Sequence, residues 1–241
     1  MPTTTYRPAG VQLNGDGRPG ELGARRDCLL MRGITRRYGA RTVLREANLQ
    51  LGRGESLLVT GPNGCGKTTL LRVAAGVITP HGGSLSLFGL DPQERRRDCQ
   101  RRIGFLPAGD RAVYARLTVR QNLDFWASIA FVPRRERRAV AERALRRFKL
   151  EEMADRRTDR LSMGQRQRAR LAMTFLHQPE LVLLDEPDSS LDEDGLHLLR
   201  TAVGETLERG GSVLWCAPTG SRETLPCDRA YVLADGSLEP A

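Results

Sequence analysis

The chain has 241 residues, 39% hydrophobic and 28% charged, with a formal charge of +9. That length holds one large α/β domain, or one domain with an inserted piece, and no apolar run reaches the roughly 18 residues a membrane-spanning helix needs. Cys28, Cys65, Cys99, Cys216 and Cys227 are odd in number and form no C-x-x-C pair, which excludes a disulfide frame or zinc site and suits a reducing cytosol.

The 38 basic residues include only two lysines, Lys67 and Lys149. Arginine concentrates in 95–102, 134–147 and 156–170. Solvated helix faces account for these runs, and the alternative is attraction to an acidic membrane surface or a nucleic acid. Aromatic content is only 5%, with no stacking pattern among the arginines, so no nucleic acid partner is expected.

Residues 1–27 are rich in Thr, Pro, Gly and Arg and lack an apolar stretch. They predict a disordered lead and show no signal peptide. Order is expected from Cys28. Alternation over Cys28–Ile34 reads as a strand, Tyr38-Gly39 as a turn, Thr42–Leu44 as a short strand, and Ala47–Leu51 as another. This antiparallel flap leads into an apolar strand at Leu57–Val59. Next comes Gly61-Pro62-Asn63-Gly64-Cys65-Gly66-Lys67-Thr68-Thr69, then apolar residues at helical spacing from Leu70 to Val77.

Beyond this helix the pattern predicts a strand at Ser84–Phe88, a charged helix over Pro92–Arg102 and a short strand at Arg102–Leu106. Val119–Phe148 has helical period in two pieces. With no strand signal, the block at about 107–170 reads as an inserted helical subdomain of a domain spanning 28–241. Ser162 reads as the N-cap of a further helix. Leu181–Asp185 is a strand covered on both faces, Leu196–Leu207 a helix, Ser212–Cys216 a buried strand, and residues 231–238 a closing hairpin. Alternating strands and helices around the glycine loop predict an α/β fold with a mostly parallel sheet.

Two features carry chemistry. The glycine loop fits G-x-x-x-x-G-K-[ST] between a strand and a helix, a context in which backbone N–H groups and the helix N-terminus converge on an anion. Lys67 supplies a compact charge for outer phosphates, and Thr68 a hydroxyl for Mg²⁺. The second is Asp185-Glu186 at the end of an all-apolar strand. A carboxylate there requires a positive partner, so Asp185 is the expected metal partner of Thr68. Glu186, one residue on, is placed to orient or deprotonate an attacking water.

A third stretch, Leu161-Ser162-Met163-Gly164-Gln165, completes an ordered set with these two. In that order they make the chain resemble the ATP-binding-cassette (ABC) family of ATPases over about Leu29 to Leu238. The resemblance implies a P-loop core with ATP and Mg²⁺ as cofactors. It puts Tyr38 on adenine, residues 61–69 on the phosphates, and Thr68 and Asp185 on the metal. Glu186 and Lys67 become the catalytic residues, with Ser162, Gly164 and Gln165 as the signature that meets the ATP of a second subunit. Ser189–Asp192 resembles the loop that crosses between subunits. It further implies a second ATP-binding subunit paired head to tail, and a separate transmembrane permease. The protein would then be cytoplasmic, peripheral to the inner face of the cell membrane. The loop at 109–123 resembles that of separately encoded ATPase subunits of efflux systems, which implies export. A degenerate partner in a heterodimeric pair and a soluble, non-transport ABC ATPase are the alternatives.

Three positions depart from the family pattern. Met163 replaces a glycine. Ala108 stands where the family has a glutamine, so water or Asp110 must take over its contacts. Pro218 registers where the family has a histidine for the γ-phosphate, and proline has neither a side-chain donor nor a backbone N–H. ATP binding is expected intact and hydrolysis slow.

Overall fold

The computed structural model describes residues 27–109, 113–220 and 224–241. Residues 1–26 of the expected lead, and Asp110, lie outside the described residues. Asp27, the last residue of that lead, already belongs to β1.

Strands β1 (Asp27–Tyr38) and β2 (Arg41–Gly52) form a long antiparallel hairpin through the Tyr38–Gly39 turn. With β4 (Gly82–Leu87) they make a three-stranded sheet in the order β2-β1-β4. The separate strands expected at 42–44 and 47–51 are one strand. Glu46 takes φ 47° and shifts the register between Arg36↔Leu44 and Ile34↔Ala47, so a bulge interrupts the alternation without ending the ladder.

The second sheet has six strands in the order β5-β6-β7-β3-β8-β9. They are β3 (Ser56–Gly61), β5 (Ile103–Leu106), β6 (Leu181–Asp185), β7 (Ser212–Pro218), β8 (Arg229–Ala234) and β9 (Ser237–Pro240). All neighbours are parallel except β8 and β9. Its central strands read as unbroken apolar runs because each faces two cores. Leu58, Val182, Leu184, Val213 and Trp215 join one core, whereas Leu57, Val59, Leu181, Leu183, Leu214 and Cys216 join the other. The flap sheet and α1 (Lys67–Ala74) cover the second core.

The connection from β5 to β6 carries α3 (Val119–Ile129), α4 (Arg134–Arg147) and α5 (Met163–Phe175), and α6 (Glu193–Glu208) follows β6. These helices share the first core through Leu123, Ala144, Leu145, Phe148, Leu171, Phe175 and Leu199. The helix expected over 92–102 shortens to α2 (Arg96–Gln100). Asp91 accepts from the N–H of Gln93 at 2.8 Å, and that local turn competes with helical bonding at its start.

Candidate nucleotide site

β3 delivers its last residue, Gly61, to the sheet edge from which the loop 62–66 rises into α1. A Cβ on Gly61 would lie 2.5 Å from the Leu233 carbonyl and 2.8 Å from the Cys65 sulfur, so only glycine lets the loop fold this tightly. Gly66, at φ 119°, leads α1 without any side-chain cap, and no acidic residue occupies the first turn. The N-terminal N–H groups and the helix dipole are therefore left for an anion.

Lys67 is 5% exposed and its ammonium donates to the carbonyls of Gly61 at 2.7 Å and Pro62 at 3.2 Å. It bends back over the loop it follows. Thr68 donates from its hydroxyl to Asp185 Oδ2 at 2.7 Å, joining the start of α1 to the end of β6. Asp185 is 2% exposed, and such a carboxylate calls for compensating positive charge. A hydroxyl and a buried carboxylate in contact beside an ammonium form a donor set that fits Mg²⁺ on a polyphosphate. Beneath them, burial and the Asp185 charge hold the Cys216 thiol well above its ordinary pKa, so it is a neutral wall.

Glu186 is only half-buried. Its backbone takes φ 50°, outside the strand geometry of Asp185, and its N–H donates to the Cys216 carbonyl at 3.0 Å. This left-handed residue turns the chain off the sheet edge, so the two adjacent acids are presented differently.

The Leu161–Gln165 stretch begins α5. Ser162 caps it: its hydroxyl accepts from Gln165 N–H at 3.2 Å, while Gln165 Oε1 accepts from Ser162 N–H at 3.0 Å. This capping box gives the Gln165 carbonyl oxygen a structural task. Among the described residues no hydrogen bond joins Ser162, Gly164 or Gln165 to the glycine loop of their own chain. Gly164 and the neighbouring Met163 meet Ser190 instead. Ser190 donates to the Met163 sulfur at 3.2 Å, and its carbonyl lies 3.3 Å from where a Gly164 Cβ would be. Met163 itself is 65% exposed.

Tyr38 is 46% exposed at the end of β1, with the Arg36 guanidinium 4.9 Å from its ring centre. Across the turn, Arg41 donates to the Gly64 carbonyl at 3.0 Å and ties the aromatic to the glycine loop. Sequence reasoning missed Arg41, whose only signal was its place directly after the aromatic turn. It also missed Gln167 and Arg170, buried polar groups of α5 hidden within an arginine-rich run that reads as solvent-facing. At the far end of the site β7 runs through Pro218, which pairs across the sheet with Gly61. Proline thus stands beside the glycine loop, and Thr219 is exposed beyond it.

The sequence model of the ABC transporter family matches residues 44–189. The chain is 33% identical over 203 residues to the Nod factor export ATP-binding protein I of Rhizobium meliloti, covering 84% of this chain and 60% of that protein. It is 34% identical over 175 residues to the Fe(3+) ions import ATP-binding protein FbpC of Escherichia coli, covering 73% of this chain and 50% of that one. Among solved structures, a dimeric post-hydrolysis ATP-binding cassette bound to ADP and Pi superposes with a TM-score of 0.76 at 26% identity, covering 88% of this chain and 96% of that chain.

Proposed function

The chain belongs to the ABC transporter family, and we propose that it is an ATP-binding subunit that closes head to tail on a second such subunit and drives export through a separate permease. The observation that carries this reading is the Thr68–Asp185 hydrogen bond beside the ammonium of Lys67. Lys67 would release the loop carbonyls and take the outer phosphates, while the loop at 61–66, apart from Pro62, which has no N–H, and Thr69 present backbone N–H groups. Tyr38 would stack on the base. Thr68 and Asp185 would hold Mg²⁺, which when bound neutralises charge on the phosphate oxygens. Glu186 would orient a water for attack on the γ-phosphorus and take its proton as the bond to the ADP oxygen breaks. Ser162 and Gly164 of the partner subunit would complete the site, Gln165 holding that helix start in shape. The block at about 107–170 would be the helical subdomain that carries this surface. The subunit would then sit at the inner face of the cell membrane through its permease.

Export rests on the loop at 109–123 and on the Nod factor relative; the FbpC relative is named for import. A second reading, a degenerate partner in a heterodimeric pair, draws on Pro218 and Ala108. The deciding experiment measures nucleotide affinity and phosphate release on the purified chain, alone and with the membrane protein that co-purifies in mild detergent. Submicromolar to millimolar ATP binding is expected, lost about 100-fold or more in Lys67→Ala, with turnover abolished in Glu186→Gln. Wild-type ATP affinity in Lys67→Ala would sink the reading. Turnover found only when a different ATP-binding subunit is present would favour the heterodimeric alternative.

A further inference from the structure

Helix α5 contains three almost fully buried polar side chains: Thr174 donates back to the Arg170 carbonyl of its own helix at 3.0 Å, whereas Gln167 and Arg170, each 4% exposed, reach beyond the helix. Burial of such groups demands hydrogen-bond partners, and theirs lie on two different strand ends. Gln167 Nε2 donates to the Pro187 carbonyl at 3.0 Å, one residue after Glu186. Arg170 donates to Gln167 Oε1 and, from its other terminal nitrogen, to the Pro107 carbonyl, one residue before Ala108. The guanidinium therefore orients the Gln167 amide so that its nitrogen faces Pro187. A continuous buried path runs from the end of β5 through α5 to the end of β6.

Glu186 sits on that path at a strained point. Its φ is 50°, and three bonds hold the backbone there among the described residues: its own N–H to Cys216, the Ser189 N–H to its carbonyl at 3.3 Å, and the Gln167 bond to the Pro187 carbonyl. The Gln167 bond is the one that comes from α5, the helix capped by Ser162 and opening with Met163 and Gly164. Displacement of α5 is thus transmitted to the backbone beside the catalytic carboxylate. The glutamine side chain that would link position 108 to the site is replaced by Ala108, which has no polar group to offer. Arg170 reaches the same loop from the other side, through a carbonyl.

We propose that Arg170 is a positioning residue for hydrolysis, holding Gln167 on Pro187 and the post-β5 loop on α5, so that Glu186 is aimed only when α5 is seated. This rests on the ATPase reading above. It predicts a loss in turnover with nucleotide binding spared, because no atom of Arg170 or Gln167 touches the glycine loop among the contacts described. Removing a charge-assisted buried hydrogen bond corresponds to about a 10- to 100-fold fall in kcat.

The test uses the full chain carrying Arg170→Ala, Arg170→Lys and Gln167→Leu, each assayed for ATP affinity, kcat, KM and thermal unfolding. The expected result is kcat down about tenfold or more in Arg170→Ala and Gln167→Leu, with ATP affinity within about twofold, and little further loss in the double variant because both act on one path. Arg170 also lines a cavity of about 260 Å³ bounded by Trp126, Met173, Thr174 and His177. Guanidinium at about 10–50 mM, far below denaturing concentrations, therefore restores turnover to Arg170→Ala and does nothing for Gln167→Leu. If Arg170→Ala fails to fold, Arg170→Lys decides: it keeps the charge but loses the planar fork, and its kcat falls with affinity retained. Wild-type kcat in the folded variants, or parallel loss of affinity and kcat without rescue, overturns the proposal. If the unmodified chain binds ATP without turning it over, amide exchange of residues 186–191 in the ATP-bound state replaces kcat. Faster exchange in Arg170→Ala supports the role and unchanged exchange overturns it.

Discussion

At the scale of single residues, Pro218 is where binding and hydrolysis are expected to part company. It closes β7 opposite Gly61, beside the glycine loop, and offers neither a side-chain donor nor an N–H. Lys67 reaches Gly61, the pairing partner of Pro218, and Asp185 and Glu186 meet Cys216, two residues earlier on β7. One pre-aimed donor to a developing anion contributes about 10²–10³ in rate. Pro218→His is therefore expected to raise steady-state phosphate release by about tenfold or more while ATP affinity stays level. A variant that folds, binds ATP and turns over no faster would show that the missing donor is not what limits the reaction. Trp215, two positions before Ala217 on the same strand, is fully buried in the first core, so β7 is anchored against the local change.

At the scale of elements, α5 and the strand β5 work as a unit. At the far end of α5 from Ser162, His177 donates from Nε2 to the Ile103 carbonyl at 3.1 Å, pinning the segment after α5 to the start of β5. Burial pushes its pKa down from 6.5 to about 4, partly offset by that bond. A depressed folded-state value means the unfolded chain binds the extra proton first. The stability contributed by neutral His177 is thus complete above about pH 6.5 and is lost as pH falls towards about 4. Urea midpoints measured across that window should decline more steeply for the wild type than for His177→Gln. Parallel curves would mean that this histidine does not titrate as its burial requires.

For the whole molecule, the start of α5 and the glycine loop are separate surfaces of one chain. Ser162 and Met163 are exposed, and among the described residues no hydrogen bond joins them to their own chain's glycine loop. A head-to-tail pair would bring Ser162 of the partner subunit to the loop. Glu186→Gln, by blocking hydrolysis, should trap this pair as a dimer with Mg²⁺ and ATP, resolved by light scattering after gel filtration. Adding Ser162→Ala should return it to monomer, and that substitution removes an N-cap at a stability loss of about 1 kcal/mol. A persistent monomer in Glu186→Gln at saturating ATP would argue that this chain pairs with a different subunit. With a formal charge of +9, two like copies repel, so dimer formation should strengthen as salt is raised from low concentration.

The candidate site was legible in the sequence because its parts are local. Gly61 to Thr69 is a single loop whose spacing reflects backbone geometry, Asp185-Glu186 follows an apolar run that only a doubly covered strand tolerates, and Ser162 reads as an N-cap, to which the structure adds Gln165 as the other half of a capping box. The parallel α/β architecture followed from the same alternation. Only the tertiary structure decided which distant residues meet. It set Pro218 opposite Gly61, brought Arg41 onto Gly64, and turned the expected pairing of Thr68 with Asp185 into a direct hydrogen bond. It also merged two expected strands into β2, since a bulge at Glu46 breaks alternation but not hydrogen bonding. Arg170 shows why such facts escape a linear reading. Within an arginine-rich run its charge predicts solvent, yet it is buried because the carbonyl of Pro107 and the amide of Gln167 receive it. Those partners come together only when β5, α5 and β6 pack.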